Sequence, residues 1–372
     1  MSEDFHHKKQ KKMERIIDPI DIRLIKEELT SRKKLGNTNK GGNELYVVTW
    51  QDSPNIVKEI GRLRETAYRM AGASSGLSMD LDRFDTMDNP YKQLIVWDPD
   101  AEAIIGGYRY ILGPDIRLKE NGQPDITSSH LYRYSDIFIK EYLPHVMELG
   151  RSFVAPEYQS SRSGAKSLFT MDNLWDGITS VILEHPGIIW FLGKMTIYPS
   201  YNSTARNLII RFLEKHFSDP NGLVTPYNAI KVTDNPLLMD LILSEDDLRK
   251  DYRLLKSAVK RLGTQIPPLV NSYINTSSTM KMLGSTVNDE LGDAIETGIM
   301  ICFNEIYEDK KSRHIDAFIN NRLRALKNRF PSLSRNTEDK LRNRLENTRE
   351  KAFRKYANRK STTEQSPEID FR

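Results

Sequence analysis

The chain has 372 residues, of which 38% are hydrophobic and 28% charged, so it is long enough for one large or two modest hydrophobic cores. No segment approaches the roughly 20 consecutive apolar residues that a membrane-spanning helix needs, and the basic N-terminus is not followed by the apolar stretch of a signal peptide. The single cysteine, Cys302, excludes an intramolecular disulfide and fits a reducing compartment, so we expect a cytoplasmic protein.

Hydrophobic periodicity predicts the order of helices and strands along the chain. Residues 1–44 are expected to form an arm that carries one amphipathic helix at 20–29. The elements expected next are a strand at 45–50, a helix at 55–70, strands at 93–97 and 103–111, a strand at 146–154, a helix at 165–183, a strand at 188–193 and a helix at 205–216. This order predicts an α/β domain with mixed strand directions over residues 45–235. Beyond it we expect a helical C-terminal extension at 236–319 and a basic, partly helical or disordered tail at 320–372.

The positive charge of the chain is concentrated in the tail. Residues 320–360 contain 14 Lys and Arg against 4 Asp and Glu, a local charge of +10, whereas the whole chain carries +4. Two interpretations are open: a solvated helix, or a surface for an anionic partner such as membrane lipid, nucleic acid or an acidic carrier protein. Leu341, Leu345 and Phe353 stand among basic residues, as is typical of a helix that lies on a membrane surface. Nucleic acid is disfavoured because no recognition module accompanies the charge and aromatic residues are sparse there.

A loop pattern follows the strand at 146–154. The segment Val154-Ala-Pro-Glu-Tyr-Gln-Ser-Ser-Arg-Ser-Gly-Ala165 leads into a predicted helix, where backbone N–H groups and the helix N-terminus hold an anion such as a phosphate. It resembles the V-x-P-x-Y, then Q/R-x-x-G-x-G/A, pattern of the GNAT (general-control-related N-acetyltransferase) superfamily. Arg162 stands at the first glycine position of that pattern. This departure disfavours coenzyme A pyrophosphate relative to the single phosphate of a carrier-protein phosphopantetheine arm.

Three further groups of residues extend the resemblance. Asp82-Arg-Phe-Asp85, Gly106-Gly-Tyr-Arg109 and Glu148-Leu-Gly-Arg151, together with Arg64, are similar to motifs of acyl-homoserine-lactone synthases. The resemblance is closer to the bacterial ornithine-lipid and glycine-lipid N-acyltransferases, which are often labelled hemolysin-like. The residues that carry it are Glu148-Leu-Gly-Arg-Ser-Phe-Val154, Leu174-Trp-Asp-Gly177 and Trp190-Phe-Leu-Gly193, and two later stretches at 266–273 and 288–293. It covers roughly residues 16–316.

The resemblance implies a fold and a reaction. The GNAT fold is α/β, with a mixed, mostly antiparallel central sheet flanked by helices. The implied reaction moves a fatty acyl group, a 3-hydroxyacyl group by family analogy, from acyl carrier protein to the α-amine of glycine or ornithine and yields a lyso-aminolipid. The donor is an acyl-phosphopantetheine thioester co-substrate, with coenzyme A as the less favoured carrier, and no bound cofactor is expected. Such an enzyme works in the cytoplasm or peripherally on the inner face of the cytoplasmic membrane.

The reaction assigns roles to residues of these motifs. Amide formation from a thioester needs a base for the amine's proton and a stabilised oxyanion, so we predict Glu148 as the base and the backbone amides around Arg151 as the oxyanion site. Glu148 has a second interpretation, as the charge partner of Arg151, which is compatible with the first. Arg109 and Arg64 are predicted to bind the acceptor, with Asp82 and Asp85 holding these arginines. The donor-binding residues are predicted to be Ser152, Phe153, Val154, Gln159, Arg162, Ser163, Gly164 and Ala165.

Other functional classes find less support. The G-x-S-x-G match at Gly72–Gly76 follows a predicted helix rather than a strand, which disfavours a serine hydrolase. There is no P-loop and no G-x-G-x-x-G, and the scattered histidines His145, His185 and His216 do not predict a metal site. The alternatives that stay open are an acyl-coenzyme A-dependent N-acyltransferase of another amine, and a non-enzymatic membrane- or nucleic-acid-binding protein that acts through its basic tail.

Overall fold

Ten strands and ten helices make up the described part of the chain. The computed structural model describes residues 13–72, 74–159, 165–232, 234–330 and 335–364. The strands are β1 (Lys34–Asn37), β2 (Glu44–Val48), β3 (Lys92–Asp98), β4 (Ala103–Leu112), β5 (Tyr132–Tyr134), β6 (Val146–Val154), β7 (Trp190–Ile197), β8 (Val224–Pro226), β9 (Lys281–Asn288) and β10 (Ala294–Cys302). The helices are α1 (Ile22–Glu28), α2 (Pro54–Met70), α3 (Arg83–Thr86), α4 (Ala165–Glu184), α5 (Ser203–Phe217), α6 (Pro236–Ile242), α7 (Leu248–Arg261), α8 (Pro268–Ile274), α9 (Glu308–Arg329) and α10 (Arg335–Glu364).

Eight of these strands form one twisted sheet in the order β1-β2-β3-β4-β6-β7-β10-β9. All neighbours are antiparallel except β6 and β7, which are parallel. Helices α4, α5, α7 and α8 cover one face through a large apolar cluster, and α1 and α2 pack on part of the other. The predicted α/β class, with a mixed, mostly antiparallel sheet between helices, is confirmed.

The parallel pair β6 and β7 separates part-way along its length. Backbone pairing covers only Val146 with Trp190, Met147 with Phe191 and Glu148 with Leu192. Beyond these pairs β6 stays bonded to β4 and β7 stays bonded to β10, so residues 149–154 and 193–197 form the two edges of an opening in the sheet. We call this opening the strand gap. Backbone N–H and C=O groups along such edges lack ladder partners and are available to a ligand.

A β-bulge on β6 lies at the strand gap. Gly107 pairs with Phe153 and Arg109 pairs with Gly150, so three steps on β6 match two on β4. Arg151, within the bulge, has φ +49°, a conformation that costs energy for a residue other than glycine. A Cβ at Gly107 would stand 2.9 Å from the Phe153 ring and 2.8 Å from the Leu94 carbonyl oxygen, so only glycine fits opposite the bulge.

The chain beyond residue 236 is not helical throughout. Helices α6, α7, α8 and α9 occur there, but the prediction is wrong for residues 281–302, which form the β9–β10 hairpin. All nine residues of β10 are buried, because both faces of the strand are covered: Ile299 and Ile301 belong to one apolar cluster, and Met300 and Cys302 to another. A strand buried on both faces lacks the polar–apolar alternation that identifies a strand in a sequence. Edge strand β1 was likewise not predicted; it lies in the arm and pairs with β2.

The basic tail packs in part on the rest of the molecule. Helix α10 includes Tyr356, which is 8% exposed and contacts Tyr142 and Trp190. Arg349 is also buried and donates hydrogen bonds to the carbonyl oxygens of Ile182, at 3.0 Å, and Ile188, at 3.3 Å. One side of α10 is therefore a docked structural element; the side chains of Leu341 and Leu345 lie outside the described residues. Within the described ranges, none of the helices combines the length and the apolar character needed to cross a membrane.

Candidate functional site

Six charged residues gather beside the strand gap. They come from α2, the segment around α3, β4 and β6, and we call them the charged cluster: Arg64, Asp80, Asp82, Asp85, Arg109 and Arg151. Three guanidinium groups face three carboxylates, so the formal charge of the cluster is zero. The sheet brings together residues that are up to 87 positions apart in the sequence.

Arg109 and Asp82 form the best-ordered pair of the charged cluster. The Arg109 guanidinium donates from Nη1 to Asp82 Oδ1 at 2.9 Å, and its Nη2 lies 2.8 Å from Asp82 Oδ2, a bidentate geometry. Asp82 is also the N-cap of α3, accepting from the Phe84 N–H, while Asp85 accepts from the Asp82 N–H at 3.0 Å. This capping box fixes both carboxylates in the orientation that Arg109 requires.

Arg64 and Asp85 lie entirely inside the protein. Both side chains are 0% exposed, with Nη1 of Arg64 3.2 Å from Asp85 Oδ1. Gln93 accepts from Arg64 and donates to Asp85 at 2.9 Å. Burial by itself would raise the pKa of the Asp85 carboxyl, but the guanidinium groups of Arg109 and Arg64 outweigh it and hold that pKa well below its usual range. Asp85 is therefore ionised at neutral pH.

These contacts confirm the prediction that Asp82 and Asp85 hold the arginines. Arg64 and Arg109 are enclosed, since their side chains are 0% and 3% exposed. A direct contact between either arginine and an acceptor remains a prediction, and it requires local opening of the charged cluster. Arg151, at 24% side-chain exposure, is the accessible guanidinium of the three.

Arg151 and Asp80 face each other without a close hydrogen bond. Arg151 Nε lies 3.4 Å from Asp80 Oδ2, and Nη2 lies 3.7 Å from Asp82 Oδ2. Burial by itself lowers the pKa of Arg151. The carboxylates around the guanidinium, of which Asp80 has the largest effect, outweigh burial and raise the pKa overall. Asp80 is 2% exposed, and its Oδ2 has no hydrogen-bond partner among the described residues. The sequence analysis missed Asp80; the available signal was an acidic residue between apolar Met79 and Leu81, two positions before the Asp82 motif.

Glu148 sits in a hydrogen-bond network at the point where the pairing of β6 and β7 ends. Tyr91 donates to its Oε2, while Thr127 Oγ1, at 3.1 Å, Ser128 N–H, at 3.3 Å, and Ser128 Oγ donate to its Oε1. Burial, and then the Glu148 charge, raise the pKa of Tyr91 well above its usual value, so Tyr91 stays a donor. Four donors fill the acceptor positions of this carboxylate.

Neither interpretation of Glu148 is settled by this network. The ion-pair partners that the structure gives to Arg151 are Asp80 and Asp82, so the predicted pairing of Glu148 with Arg151 is not among those contacts. The role of Glu148 as a base remains a prediction. Its network fixes β6 at the apex of the strand gap.

A second ion pair stands on the β7 and β10 side of the strand gap. Lys194 Nζ lies 2.9 Å from Glu296 Oε2, and Asn288 donates to the same oxygen at 3.2 Å. Burial would raise the pKa of Glu296, but Lys194, and to a lesser degree Arg151, lower it overall. Arg151 and Glu296 therefore interact electrostatically. The sequence analysis missed Glu296 because β10 was not predicted as a strand.

Ser152 links the strand gap to buried tyrosines. Burial raises the pKa of Tyr108, while hydrogen bonds from Tyr273 and Ser152 lower it. The Tyr68 hydroxyl donates to the Ser152 carbonyl oxygen at 3.0 Å. The Tyr68 hydroxyl on α2 thus fixes the bulged part of β6.

The predicted donor-binding residues lie along β6 and the loop after it. Ser152, Phe153 and Val154 belong to the gap edge, and Gln159 Nε2 donates to the Val154 carbonyl oxygen at 2.8 Å. Ala165 is the first residue of α4, which agrees with the predicted helix start. Arg162, Ser163 and Gly164 lie outside the described residues. In the described part of the chain, no group of His, Cys, Asp and Glu side chains has the arrangement of a metal site.

Comparison with known proteins gives this geometry a context. A family profile described as an acetyltransferase (GNAT) domain matches residues 63–168, which include the charged cluster and β6. A glycine N(alpha)-acyltransferase of Phocaeicola vulgatus is 49% identical over 315 residues, which cover 85% of this chain and 97% of the relative. A glycine N(alpha)-acyltransferase of Bacteroides thetaiotaomicron is 50% identical over 315 residues, 85% of this chain and 94% of the relative. The chain belongs to this N-acyltransferase family.

Membership of the family establishes the class of reaction. The protein is an acyltransferase with a GNAT domain, as its sequence predicts. Acyl transfer of this kind uses an acyl thioester donor and an amine acceptor. A solved structure of a CoA-dependent acyl-homoserine lactone synthase with SAM and isopentyl-CoA aligns with 74% of this chain and 90% of its own, at 12% identity and a TM-score of 0.33.

Proposed function

We propose that this N-acyltransferase moves a fatty acyl group, a 3-hydroxyacyl group, from acyl carrier protein to the α-amine of glycine and so makes a lyso-glycine lipid. The names of the two relatives, both glycine N(alpha)-acyltransferases, support glycine as the acceptor. The observation that carries the proposal is the strand gap. It lies beside the charged cluster, whose formal charge is zero and which contains an accessible guanidinium next to a buried carboxylate.

A small zwitterion suits this arrangement. The carboxylate of an amino acid is best met by an arginine, and Arg151 has the exposure to do so. The ammonium group of the amino acid is best met by a carboxylate, and the carboxylate of Asp80 lies 3.4 Å from Arg151. Glycine presents only these two charged groups, so an arginine and a carboxylate side by side satisfy both.

The donor thioester is expected to enter along β6. The unpaired edge at residues 149–154 offers backbone N–H groups near the bulge, which is the arrangement needed to stabilise the oxyanion of an attacked thioester carbonyl. Arg162 replaces the first glycine of the phosphate-binding pattern, which favours the single phosphate of a carrier-protein arm over coenzyme A pyrophosphate.

Acyl carrier protein and an anionic membrane surface are the proposed macromolecular partners. Both are negatively charged, and residues 320–360 carry a net charge of +10. Arg344, Lys351 and Lys355 on the exposed part of α10 are available to such a surface, whereas Arg349 is docked. We therefore place the enzyme in the cytoplasm, peripheral to the inner face of the membrane, with nucleic acid disfavoured.

The proposal is tested by product analysis. The purified protein is incubated with 3-hydroxypalmitoyl carrier protein, or with the matching coenzyme A thioester, and an equimolar mixture of amino acids, and acylated amines are identified by mass spectrometry. We expect acyl-glycine as the main product, with higher kcat/KM for the carrier-protein donor.

Each part of the proposal has its own contradicting result. Preference for the coenzyme A donor would contradict the carrier protein as the donor, and acyl-ornithine as the main product would contradict glycine as the acceptor.

Flotation with vesicles of phosphatidylcholine, with and without phosphatidylglycerol, tests the membrane contact. Charge reversal at Arg344, Lys351 and Lys355 is expected to abolish flotation with the anionic vesicles while soluble turnover persists.

A further inference from the structure

Asp80 differs from the other carboxylates beside the strand gap because one of its buried oxygens makes no hydrogen bond with the described residues. Its N–H donates to the Gly61 carbonyl oxygen at 2.9 Å, which fixes the backbone, yet its buried Oδ2 lacks a hydrogen-bond partner among the described residues. A buried polar atom that makes no hydrogen bond is uncommon in folded proteins, and a catalytic role is one of its recognised explanations.

We propose that Asp80 Oδ2 binds the ammonium group of the amino-acid acceptor and receives its proton, which makes Asp80 the general base of the transfer. The inference rests on the proposed function in that the acceptor is an α-amino acid. Arg151 holds the acceptor carboxylate, and because Asp80 Oδ2 lies beside the guanidinium, 3.4 Å from Nε, one small amino acid can contact both groups.

Both oxygens of Asp82, Asp85 and Glu148 take part in hydrogen bonds or close ion pairs. Asp85 accepts from Arg64, Gln93, Arg109 and the Asp82 N–H, and Asp82 accepts from Arg109 and the Phe84 N–H. Glu148 accepts from four donors. Asp80 Oδ2 makes no hydrogen bond with the described residues, and its nearest cationic contact is the ion pair with Arg151 Nε at 3.4 Å.

The surroundings of Asp80 favour a base. Burial raises the pKa of Asp80; Arg151, Arg64 and Arg109 lower it and Asp85 raises it, and the overall direction is upward. The Tyr68 ring is a further titratable group beside Asp80, and burial, with the Asp80 charge, raises the pKa of Tyr68 to a range where it stays neutral. A raised carboxyl pKa lies closer to the pKa of the acceptor's ammonium group, and this smaller difference eases proton transfer.

The step balances without a further reactant. The ammonium R–NH3+ gives one proton to Asp80, which leaves R–NH2 and a neutral carboxyl group. The nitrogen lone pair forms the C–N bond to the thioester carbonyl carbon, and collapse of the tetrahedral intermediate breaks the C–S bond. A second nitrogen proton passes to the departing thiolate, and Asp80 releases its proton to water.

The test compares pH profiles and acceptors. We measure kcat/KM for glycine between pH 6 and 10 in the full chain, its Asp80→Asn variant and an Asp240→Asn control, whose carboxylate pairs with Arg211 on the surface. The kcat/KM of Asp80→Asn is expected to be at least about 100-fold below that of the wild type at pH 7. It should rise about tenfold for each unit by which the pH increases, because only acceptor that solvent has deprotonated then reacts. Asp240→Asn should follow the wild type.

A second acceptor separates base catalysis from a structural role. Aminooxyacetate carries a carboxylate but an amine that is neutral at pH 7, so it needs no base, and Asp80→Asn should lose far less activity with it than with glycine. An equal loss with both acceptors, or an unchanged pH profile, would overturn the role of Asp80. Should Asp80→Asn not fold, Asp80→Ser, which also removes the carboxylate, supplies the same comparison. A wild-type enzyme that acylates ornithine instead of glycine contradicts the proposed acceptor, while the profile with ornithine still tests Asp80.

Discussion

Arg109 donates a hydrogen bond to Asp85 Oδ2 at 2.9 Å, and both side chains are almost wholly buried, at 3% and 0% exposure. This contact joins β4 to the segment that carries Asp80 and Asp82. Because Arg64 from α2 also reaches Asp85, one carboxylate ties three separate parts of the chain to the site.

Replacement of Asp85 tests how much stability this carboxylate supplies. Asp85→Asn removes the ion-pair partner of buried Arg64 and leaves Arg109 with Asp82 alone, and breaking a buried ion pair costs about 3–5 kcal/mol of the free energy of unfolding. The measurement is urea unfolding followed by circular dichroism. A loss below about 1 kcal/mol would show that Asp82 and Asp80 compensate.

The same carboxylate predicts a pH dependence of stability. The folded pKa of Asp85 lies below the unfolded value of about 3.9, so its contribution is complete above that value and declines as the pH falls further. The wild type should therefore lose stability in acid more steeply than Asp85→Asn. Parallel curves for the two proteins would contradict an ionised Asp85.

Gly61 on α2 is predicted to control the position of Asp80. A Cβ at Gly61 would stand 2.8 Å from Leu81 Cγ, so Gly61→Ala forces the segment that holds Asp80 away from α2. We expect a stability loss of about 1–3 kcal/mol from overpacking and a larger proportional loss of kcat/KM. Gly187→Ala is the matched control, because an added Cβ there meets open space. Full activity in Gly61→Ala would show that the placement of Asp80 tolerates movement.

Glu148→Gln is predicted to lower stability as well as activity. The glutamine amide group presents a donor to a pocket in which Tyr91, Thr127 and Ser128 already donate, so one buried donor is left unpaired at about 1–3 kcal/mol. Thermal unfolding checks the stability loss. An unchanged melting temperature with lost turnover would instead favour Glu148 as the base.

Arg349 is predicted to hold α10 against the rest of the molecule. Its guanidinium caps the carbonyl oxygens of Ile182 and Ile188 and lies 4.4 Å from the centre of the Phe303 ring. Arg349→Met keeps the stem but removes these bonds, and hydrogen bonds from a charged group contribute about 1.5–3 kcal/mol. Limited proteolysis should cut the variant faster within α10 than the control Arg354→Met, whose side chain is 72% exposed. Equal cleavage rates would show that the contacts of Tyr356 suffice.

Some residues of the site could be predicted from the sequence and others could not. Asp82, Asp85, Arg109 and Glu148 belong to contiguous motifs, and local rules such as the capping box of α3 already orient two of them. Asp80 and Glu296 carry no local motif. Their importance follows from burial and from partners on other elements, which are visible only once the chain is folded.

The fold divides in the same way. Periodicity and turn residues predict the strands and helices from β2 to α5 apart from the short elements α3 and β5, since those patterns depend on neighbours in sequence. Tertiary structure alone decides the position of β10, because a strand buried between two others shows no alternation, and it decides the docking of α10, because its composition is that of a solvated helix. It also decides the strand gap: the separation of β6 from β7 depends on a bulge that forms where Gly106 and Gly107 admit Phe153 across the sheet.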